Sequence, residues 1–329
     1  MIIHWLVPGN FKTLEDLSKS NLASIRMRAG LVGRHADKMN MQFSAGDQIC
    51  TAADVIVVGK IGADCLNGRA SLWIKQLYEA KQQSKKIILD YTDHHLESIS
   101  SPMGIFYKDI MPIIDIAIVP SSRILTLLTK YFNNCIIIIE DPIEIEVIPP
   151  KELNILSSLN LLWFGHSTNI IYLLKYLQNS KLCDISFNLF VLSNFPGLEM
   201  LAKNQSHLPS SIQFSLTEWS LQNMITVSKN CHGSLIPSDP NDSRKSGASS
   251  NRLITSFALG LPVSADLLDS YAPFSEYFHN IRKTPISVFI NQISLYSDKV
   301  KLAQKSIVPN FTEEAIAQNW RNFFFEKNL

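Results

Sequence analysis

Several side chains that can transfer protons follow one apolar run in the first third of the chain. The run Lys86–Asp90 continues as YTDHHLES, which brings Asp93, His94 and His95 together at three successive positions. A positioned Asp or His can take a proton from an attacking hydroxyl, so we predict Asp93 and His94 as catalytic residues and His95 as an acceptor contact. Two other interpretations stay open: a metal ion held by this group, or an Asp helix cap beside surface imidazoles.

Two stretches in the second half have the composition of anion-binding loops. In WFGHSTN, Gly165 and His166 form a small polar turn between an apolar run and a predicted helix. In IPSDPNDSRKSGASSNRLITSFALG, a long polar loop precedes a helix predicted to start near Ser250 or Asn251. First-turn N–H groups have no partner within a helix and favour phosphate oxygens, although an ordinary helix cap also explains the Ser and Asn. The candidate binding residues of the second loop are Asp239, Lys245, Ser246, Ser250, Asn251 and Arg252.

A third candidate loop follows the first apolar run. Gly9 lets a substrate approach the backbone closely, and Asn10 lies beside it. Arg26 and Arg28, in the letters SIRMR, are predicted to reach an anionic group. The alternative is a plain turn followed by a solvated basic helix face.

The elements that must position these loops are short strands alternating with helices. The predicted strands are continuous Val/Ile/Leu runs, which is typical of parallel strands covered on both faces. In the first half these strands are Ile2–Val7, Asp54–Gly59, Lys86–Asp90, Asp115–Val119 and Cys135–Ile139, and the helices are Leu22–Lys38, Ser71–Ser84 and Ser121–Phe132. In the second half the strands are Leu161–Phe164, Phe187–Leu192, Ile212–Phe214, Gly233–Ile236 and Pro262–Ser264, and the helices are Asn169–Gln178, Glu218–Ser228 and Asn251–Leu259. This alternation predicts an α/β fold with two Rossmann-like parallel-sheet domains facing across a cleft, in which ligands lie at the carboxyl ends of the strands.

A proline-containing segment of low periodicity, Glu140–Asn160, divides the two halves and is the predicted linker. We therefore expect one domain over residues 1–150 and another over residues 151–310. The last segment, residues 311–329, has Thr312 as a predicted N-cap followed by two acidic residues, which favours a terminal helix.

Composition narrows the class of protein. The formal net charge of +1 argues against nucleic acid as the main partner, because binding a nucleic-acid phosphate backbone usually needs a clear basic excess. Five dispersed cysteines form no CxxC pair, which is typical of a reducing cytosol, and no metal-ligand spacing appears. The apolar runs are interrupted by charges and proline, so we expect a cytoplasmic protein with no membrane span.

The order of these motifs resembles that of GT-B-fold glycosyltransferases of bacterial surface-polysaccharide and glycan biosynthesis. The resemblance rests on SxRxR, DYTDHH, VPSS, EDPIE, LLWFGH and SNRLITSFALGLPV, taken in that order along the chain. It implies a nucleotide-sugar donor held mainly by the second domain and a glycan or lipid-linked acceptor held by the first. It also implies a terminal helix that crosses back to pack on the first domain, no cofactor, no essential metal, and peripheral contact with the inner face of a membrane.

One position departs from the pattern of that family. Its members carry Ser-Asn-Lys-x-x-Glu, with the Glu on the donor ribose, whereas Thr255 stands at the Glu position here. Thr255 is accordingly a candidate donor contact, and a changed nucleotide, another ribose ligand or lost activity all stay open. Sugar transfer is the primary hypothesis, and the alternatives are a non-catalytic nucleotide-sugar binder and a 2-epimerase-like enzyme.

Overall fold

The chain folds into two compact units. The computed structural model describes residues 1–9, 11, 13–20, 22–62, 68–98, 100–151, 159–179, 186–242 and 247–326. The first unit comprises Met1–Pro142, Gly247–Ser249 and Glu313–Leu329, and the second comprises Ile143–Ser246 and Ser250–Thr312.

The first unit is built on a six-stranded parallel sheet. Its strands are β1 (Ile2–Leu6), β2 (Gln42–Gly46), β3 (Val55–Val58), β4 (Lys86–Asp90), β5 (Ile116–Val119) and β6 (Cys135–Ile138), in the order β2-β1-β3-β4-β5-β6. All four residues of β3, the run VIVV, are buried, because helices cover both faces of the sheet. The sequence order reverses between β1 and β3, which is the kind of edge where ligands bind in open α/β sheets.

The helices of the first unit fill the connections between these strands. They are α1 (Leu14–Ser18), α2 (Leu31–His35), α3 (Ala70–Gln82), α4 (Pro102–Ile110) and α5 (Ser122–Leu128). The predicted helix Leu22–Lys38 is instead composite, since a six-residue π-helix, Ile25–Gly30, precedes α2. The wider turn of a π-helix is rare and is found mostly at functional positions.

The second unit repeats the plan. Its strands are β7 (Leu159–Phe164), β8 (Phe187–Ser193), β9 (Ile212–Glu218), β10 (Gly233–Ile236), β11 (Val263–Ala265) and β12 (His279–Asn280), in the order β12-β11-β10-β7-β8-β9. Its helices are α6 (Ile170–Asn179), α7 (Phe195–Asn204), α8 (Leu221–Ser228), α9 (Asn251–Ala258), α10 (Ile286–Asn291) and α11 (Ile293–Ser306). The reversal of sequence order lies between β7 and β10, whose carboxyl ends carry the two predicted anion loops.

A terminal helix, α12 (Glu313–Glu326), belongs to the first unit. Trp320 is fully buried and packs edge-on against Trp5 of β1, with ring centroids 5.2 Å apart. Glu313 receives two hydrogen bonds of 2.9 Å from Arg34 of α2. Aromatic packing and a bidentate ion pair therefore fix this helix within the unit.

The structure corrects several predicted elements. The predicted helix Glu218–Ser228 is wrong at its start, because Glu218 pairs with Ser193 in the sheet and Ser220 caps α8 by accepting a hydrogen bond from Asn223 N. Strand β2 was not predicted, because its letters QFSAG lack a continuous apolar run at the sheet edge. Helices α1, α4, α7, α10 and α11 and strand β12 were also not predicted. No described helix is long and apolar enough to span a membrane.

Candidate functional site

The start of α9 holds two buried polar atoms that lack a partner in the part of the chain that the structure describes. The helix begins at Asn251, and Ser250, which is 3% exposed, makes no capping hydrogen bond with its side chain. Both Ser250 Oγ and Arg252 Nη1 are buried without a hydrogen-bond partner. An unpaired buried donor costs about 1–3 kcal/mol, so two of them at one helix start indicate a site built for a ligand.

Arg252 is held in place by its neighbours. Its side chain hydrogen-bonds to the hydroxyl of Tyr271, which is buried. Burial raises the pKa of Tyr271 and the nearby guanidinium opposes that rise, so the hydroxyl stays protonated. The guanidinium is thus oriented by one bond and keeps Nη1 for another group.

The turn after β7 lies next to this guanidinium. A Cβ built on Gly165 would lie 3.5 Å from Arg252 Nη1 and 3.2 Å from the Trp163 ring. A glycine therefore leaves the backbone open beside the cation, which is the arrangement required for close approach by an anion. The structure brings together the two loops that the sequence singled out in this half.

Hydrogen bonds from the end of β8 fix the same turn. Ser193 Oγ donates to Gly165 O at 2.8 Å, and Ser167 N donates to Asn194 Oδ1 at 2.8 Å. His166 is exposed, and its Nε2 lies 3.4 Å from Asn194 Nδ2. Hydrogen bonds thus hold the backbone of the Gly165–His166 turn in place, while the imidazole of His166 is exposed to solvent.

The structure does not place the other predicted donor contacts beside Arg252 Nη1. Thr255 is 3% exposed and its Oγ1 donates to Asn251 Oδ1 at 3.3 Å, one turn earlier in α9. Asp239 instead lines a separate cavity with Ser238 and Arg282. Lys245 and Ser246 lie outside the described residues.

In the first unit, Arg28 belongs to a buried charge cluster. It is fully buried, and its Nε donates to both carboxylate oxygens of Asp90, at 2.7 and 2.8 Å. Its Nη1 donates to Asp141 Oδ1 at 2.9 Å and to Ile139 O at 3.0 Å. Because burial removes Arg28 from solvent, its predicted role as a direct acceptor contact is not retained; it fixes the carboxyl ends of β4 and β6.

Asp93 and His94 have different surroundings although they are adjacent. Asp93 forms an ion pair with Lys60, which follows β3, and the Asp93 side chain is 26% exposed. His94 is 1% exposed, and its Nε2 lies 3.5 Å from Glu97 Oε1. Burial lowers the pKa of His94 below its usual value, so the ring is neutral near pH 7. The solvent-accessible group of the pair is therefore Asp93.

The remaining acceptor candidates are distributed along the same unit. His95 is half-buried and its ring stacks on Tyr107, with centroids 6.0 Å apart. Gly9 has a φ of +120°, a conformation that side-chain-bearing residues rarely adopt. Arg26, predicted to reach an anionic group, is 5% exposed and its Nη1 donates to Ser20 O at 2.6 Å, so the alternative of a solvated basic face does not hold for this residue. Asn10 lies outside the described residues.

Sequence reasoning missed three groups near these positions. Lys60 and Tyr271 act as partners of Asp93 and Arg252, but nothing in the sequence pairs residues so far apart. Glu140 lies two positions after the end of β6, and burial together with Asp141 raises its pKa to about 7. Its place directly after the predicted strand Cys135–Ile139 was a signal that could have found it, although the sequence assigned it to a linker.

No cluster of three or more His, Cys, Asp or Glu side chains suited to a metal ion occurs among the described residues. The adjacent His94 and His95 differ in burial, and His94 contacts Glu97 and Tyr91. Among the described residues, the second unit has groups that can contact an anion, and the first unit has carboxylates at the carboxyl ends of its strands.

Comparison with known proteins identifies the fold. No protein-family model matches the sequence, and no curated protein sequence matches it either. Among solved structures, the chain is similar to an alpha-glucosyltransferase (AGT) in complex with UDP, with a TM-score of 0.65, 10% identity and 99% of each chain covered.

Two other similar structures cover nearly the whole chain. Sucrose-phosphate synthase from Thermosynechococcus elongatus has a TM-score of 0.65 at 10% identity, with 99% of this chain and 98% of that chain covered. The lipopolysaccharide outer core galactosyltransferase WaaB, in its apo form, has a TM-score of 0.57 at 11% identity, with 99% and 100% covered. The chain has the GT-B fold of glycosyltransferases, with two six-stranded parallel sheets.

Proposed function

We propose that the protein is a glycosyltransferase that moves a sugar from a nucleotide-sugar donor to a hydroxyl of a glycan acceptor. The observation that carries this proposal is the pair of buried, unpartnered atoms at the start of α9, Ser250 Oγ and Arg252 Nη1. The fold shared with enzymes of this class, one of them bound to UDP, supports the choice of a nucleoside diphosphate as the ligand.

The diphosphate would lie between the start of α9 and the turn after β7. Arg252 supplies a fixed positive charge, Ser250 a hydroxyl, and the N-terminus of α9 the positive end of its helix dipole. Gly165 leaves room for the phosphate oxygens beside Arg252. Charge accumulates on the leaving phosphate as the glycosidic bond breaks, so these groups stabilise the transition state more than the ground state.

On the acceptor side, we propose Asp93 as the group that receives the acceptor proton. Its carboxylate is partly exposed at the carboxyl end of β4, whereas His94 is buried. The Lys60 ammonium positions that carboxylate; burial lowers the pKa of Lys60, but Asp93, Asp141 and Asp90 together raise it above its usual value. This assignment keeps one of the two residues predicted as catalytic and gives His94 a structural role.

A donor-consumption assay tests the proposed activity. Wild-type protein is incubated with UDP-, GDP-, ADP- and dTDP-sugars, with and without a panel of glycan acceptors, and release of the free nucleotide is measured. We expect release from at least one donor, stimulated by an acceptor and reduced about 10²–10³-fold in Arg252→Ala. Absence of release with every donor would contradict the proposed activity. Metal independence predicts unchanged turnover in excess EDTA.

A non-catalytic nucleotide-sugar binder is the second candidate. Two observations favour it: His94 is inaccessible to solvent, and Thr255 is buried against Asn251. Saturable binding of a nucleotide without any donor consumption would select this candidate. A lipid-linked acceptor and peripheral membrane contact stay predictions.

A further inference from the structure

The second unit contains a cavity that is separate in its residues from the start of α9. It has a volume of about 340 Å³ and lies where β10, β11 and β12 end. Ser238 and Asp239 follow β10, Asp266 follows β11, and Arg282 follows β12 shortly afterwards. Residues of α6, including Tyr172 and Lys175, complete the lining.

Ser238 is fixed through its backbone while its hydroxyl stays unpaired. Its N–H donates to Asp266 Oδ2 at 2.7 Å, and its carbonyl accepts from Arg282 Nη2 at 3.2 Å. Asp266 and Arg282 also form an ion pair with each other, which closes the frame. Ser238 is 6% exposed, and its Oγ is buried without a partner in the described part of the chain. A rigidly held, unsatisfied hydroxyl at a cavity indicates a ligand that supplies the missing hydrogen bond.

The described lining residues carry equal numbers of positive and negative charges. The cations are Lys175 and Arg282, and the carboxylates are Asp239 and Asp266. Lys175 is exposed and forms no ion pair with any described residue, while Asp239 Oδ1 accepts from Asn241 N at 3.0 Å. An anion would meet two carboxylates and a cation would meet an ammonium and a guanidinium. The lining favours a neutral ligand with many hydroxyls that both donate and accept.

Aromatic side chains add apolar surface to this polar lining. Tyr172 is 8% exposed and is oriented by a 2.7 Å hydrogen bond from its hydroxyl to Asp242 Oδ2. Tyr176 lines the cavity one helical turn further on. A pyranose ring presents both an apolar C–H face and a rim of hydroxyls, which matches tyrosine rings beside a free hydroxyl, an ammonium and a carboxylate.

We infer that this cavity binds a neutral pyranose unit, with Ser238 Oγ, Lys175 and Asp239 as its polar contacts. The inference extends the proposed function, because a protein that transfers sugars would hold either the donor's sugar or a sugar of a glycan here. The cavity shares no described lining residue with the diphosphate site at α9, so the two sites can be tested separately.

Titration calorimetry of the full chain tests the inference. The probes are glucose, galactose, N-acetylglucosamine and maltotriose, with inorganic phosphate as a charged comparison. The variants are Ser238→Ala, Lys175→Met and the control Lys229→Met, which removes an exposed lysine that does not line the cavity. We expect at least one saccharide to bind the wild type and Lys229→Met saturably and both cavity variants at least tenfold more weakly.

Titrations with UDP and UDP-glucose show which sugar occupies the cavity. If it is the sugar of the donor, Ser238→Ala weakens the binding of UDP-glucose but not of UDP. If it is a sugar of a glycan, Ser238→Ala weakens only the binding of the free saccharide. The inference would be overturned if none of the four saccharides bound, if both cavity variants bound a saccharide as tightly as the wild type, or if phosphate competed with the saccharide. Arg252→Ala should leave saccharide binding intact, so failure of the diphosphate site is recognised independently.

Discussion

At the scale of single residues, the site depends on which polar atoms are already paired. Arg252 has one bond to Tyr271 and a buried Nη1 without a described partner, whereas Arg28 donates from Nε to Asp90 and from Nη1 to Asp141, and its Nη2 lies 2.7 Å from Asp90 Oδ1. We therefore assign opposite roles to two arginines that look alike in the sequence. Arg252 is the proposed ligand contact, and Arg28 supports the fold.

The first residue-scale prediction concerns Asp93. Asp93→Asn should lower the rate of sugar transfer about 10²–10⁴-fold with little change in donor affinity, because an amide cannot accept the acceptor proton. Steady-state kinetics with saturating donor measure this change, and Asp109→Asn, an exposed carboxylate in α4, is the control. Wild-type turnover in Asp93→Asn would remove this residue from the mechanism.

The second residue-scale prediction concerns His279. Burial lowers the pKa of His279 from its usual 6.5 to about 4, while Ser264 and Thr284 hydrogen-bond the ring. The unfolded chain takes up this proton as the pH falls below 6.5, but the folded chain does so only near pH 4. The free energy of unfolding should thus fall between pH 6.5 and pH 4, by about 3 kcal/mol in total from this residue.

Urea unfolding at a series of pH values measures that loss. His279→Gln should make the pH dependence less steep, the rest coming in part from His4, whose pKa burial also lowers to about 4. The variant also removes hydrogen bonds and lowers stability at pH 8. His207→Gln, which changes an exposed histidine, should leave the wild-type pH dependence intact. An unchanged slope in His279→Gln would show that this ring is not the group responsible.

At the scale of elements, a buried charge cluster connects a helix to two strands. Arg28, in the π-helix, bridges Asp90 at the end of β4 and Asp141 beyond β6. The Trp320 ring lies 5.2 Å from the guanidinium carbon, so the terminal helix packs on the same cluster. The π-helix brings a cation to a point where the carboxyl ends of two strands would otherwise place unpaired carboxylates.

Removing one partner of this cluster should be strongly destabilising. Asp90→Asn leaves a buried guanidinium with less compensation, and we expect a loss of about 3–5 kcal/mol in the free energy of unfolding. Urea unfolding followed by circular dichroism measures it. Glu15→Gln breaks the exposed pair with Lys19 and should cause no measurable change. Equal stability of the two variants would contradict the role assigned to Arg28.

The same elements show how far sequence reasoning reaches. Strand β3 was predicted because a run of four apolar β-branched residues is typical of a strand buried on both faces, whereas the edge strand β2, QFSAG, has one large apolar residue and no apolar run. The start of α9 was predicted from Ser250 and Asn251. The bond between Arg28 and Asp90, separated by 62 positions, and the partner of Arg252 depend on packing that no local pattern specifies.

At the scale of the whole molecule, the proposed sites are divided between the two units. The second unit carries the proposed diphosphate site and the proposed saccharide cavity, and the first carries the Asp93–Lys60 pair at the carboxyl end of its sheet. Each group of candidate residues lies at the carboxyl ends of parallel strands, as expected for open α/β sheets. Function therefore depends on loops, while the buried strands and the Arg28 cluster hold those loops in place.

The central claim is that the start of α9 binds a nucleoside diphosphate. Titration calorimetry with UDP, GDP, ADP and dTDP on the wild type, Arg252→Ala and the exposed-residue control Arg321→Ala tests it most directly. We predict saturable binding of at least one diphosphate by the wild type and Arg321→Ala, weakened at least tenfold in Arg252→Ala, since a charge-assisted hydrogen bond contributes about 1.5–3 kcal/mol. Absence of binding by all four, or equal affinity in Arg252→Ala, would contradict the claim.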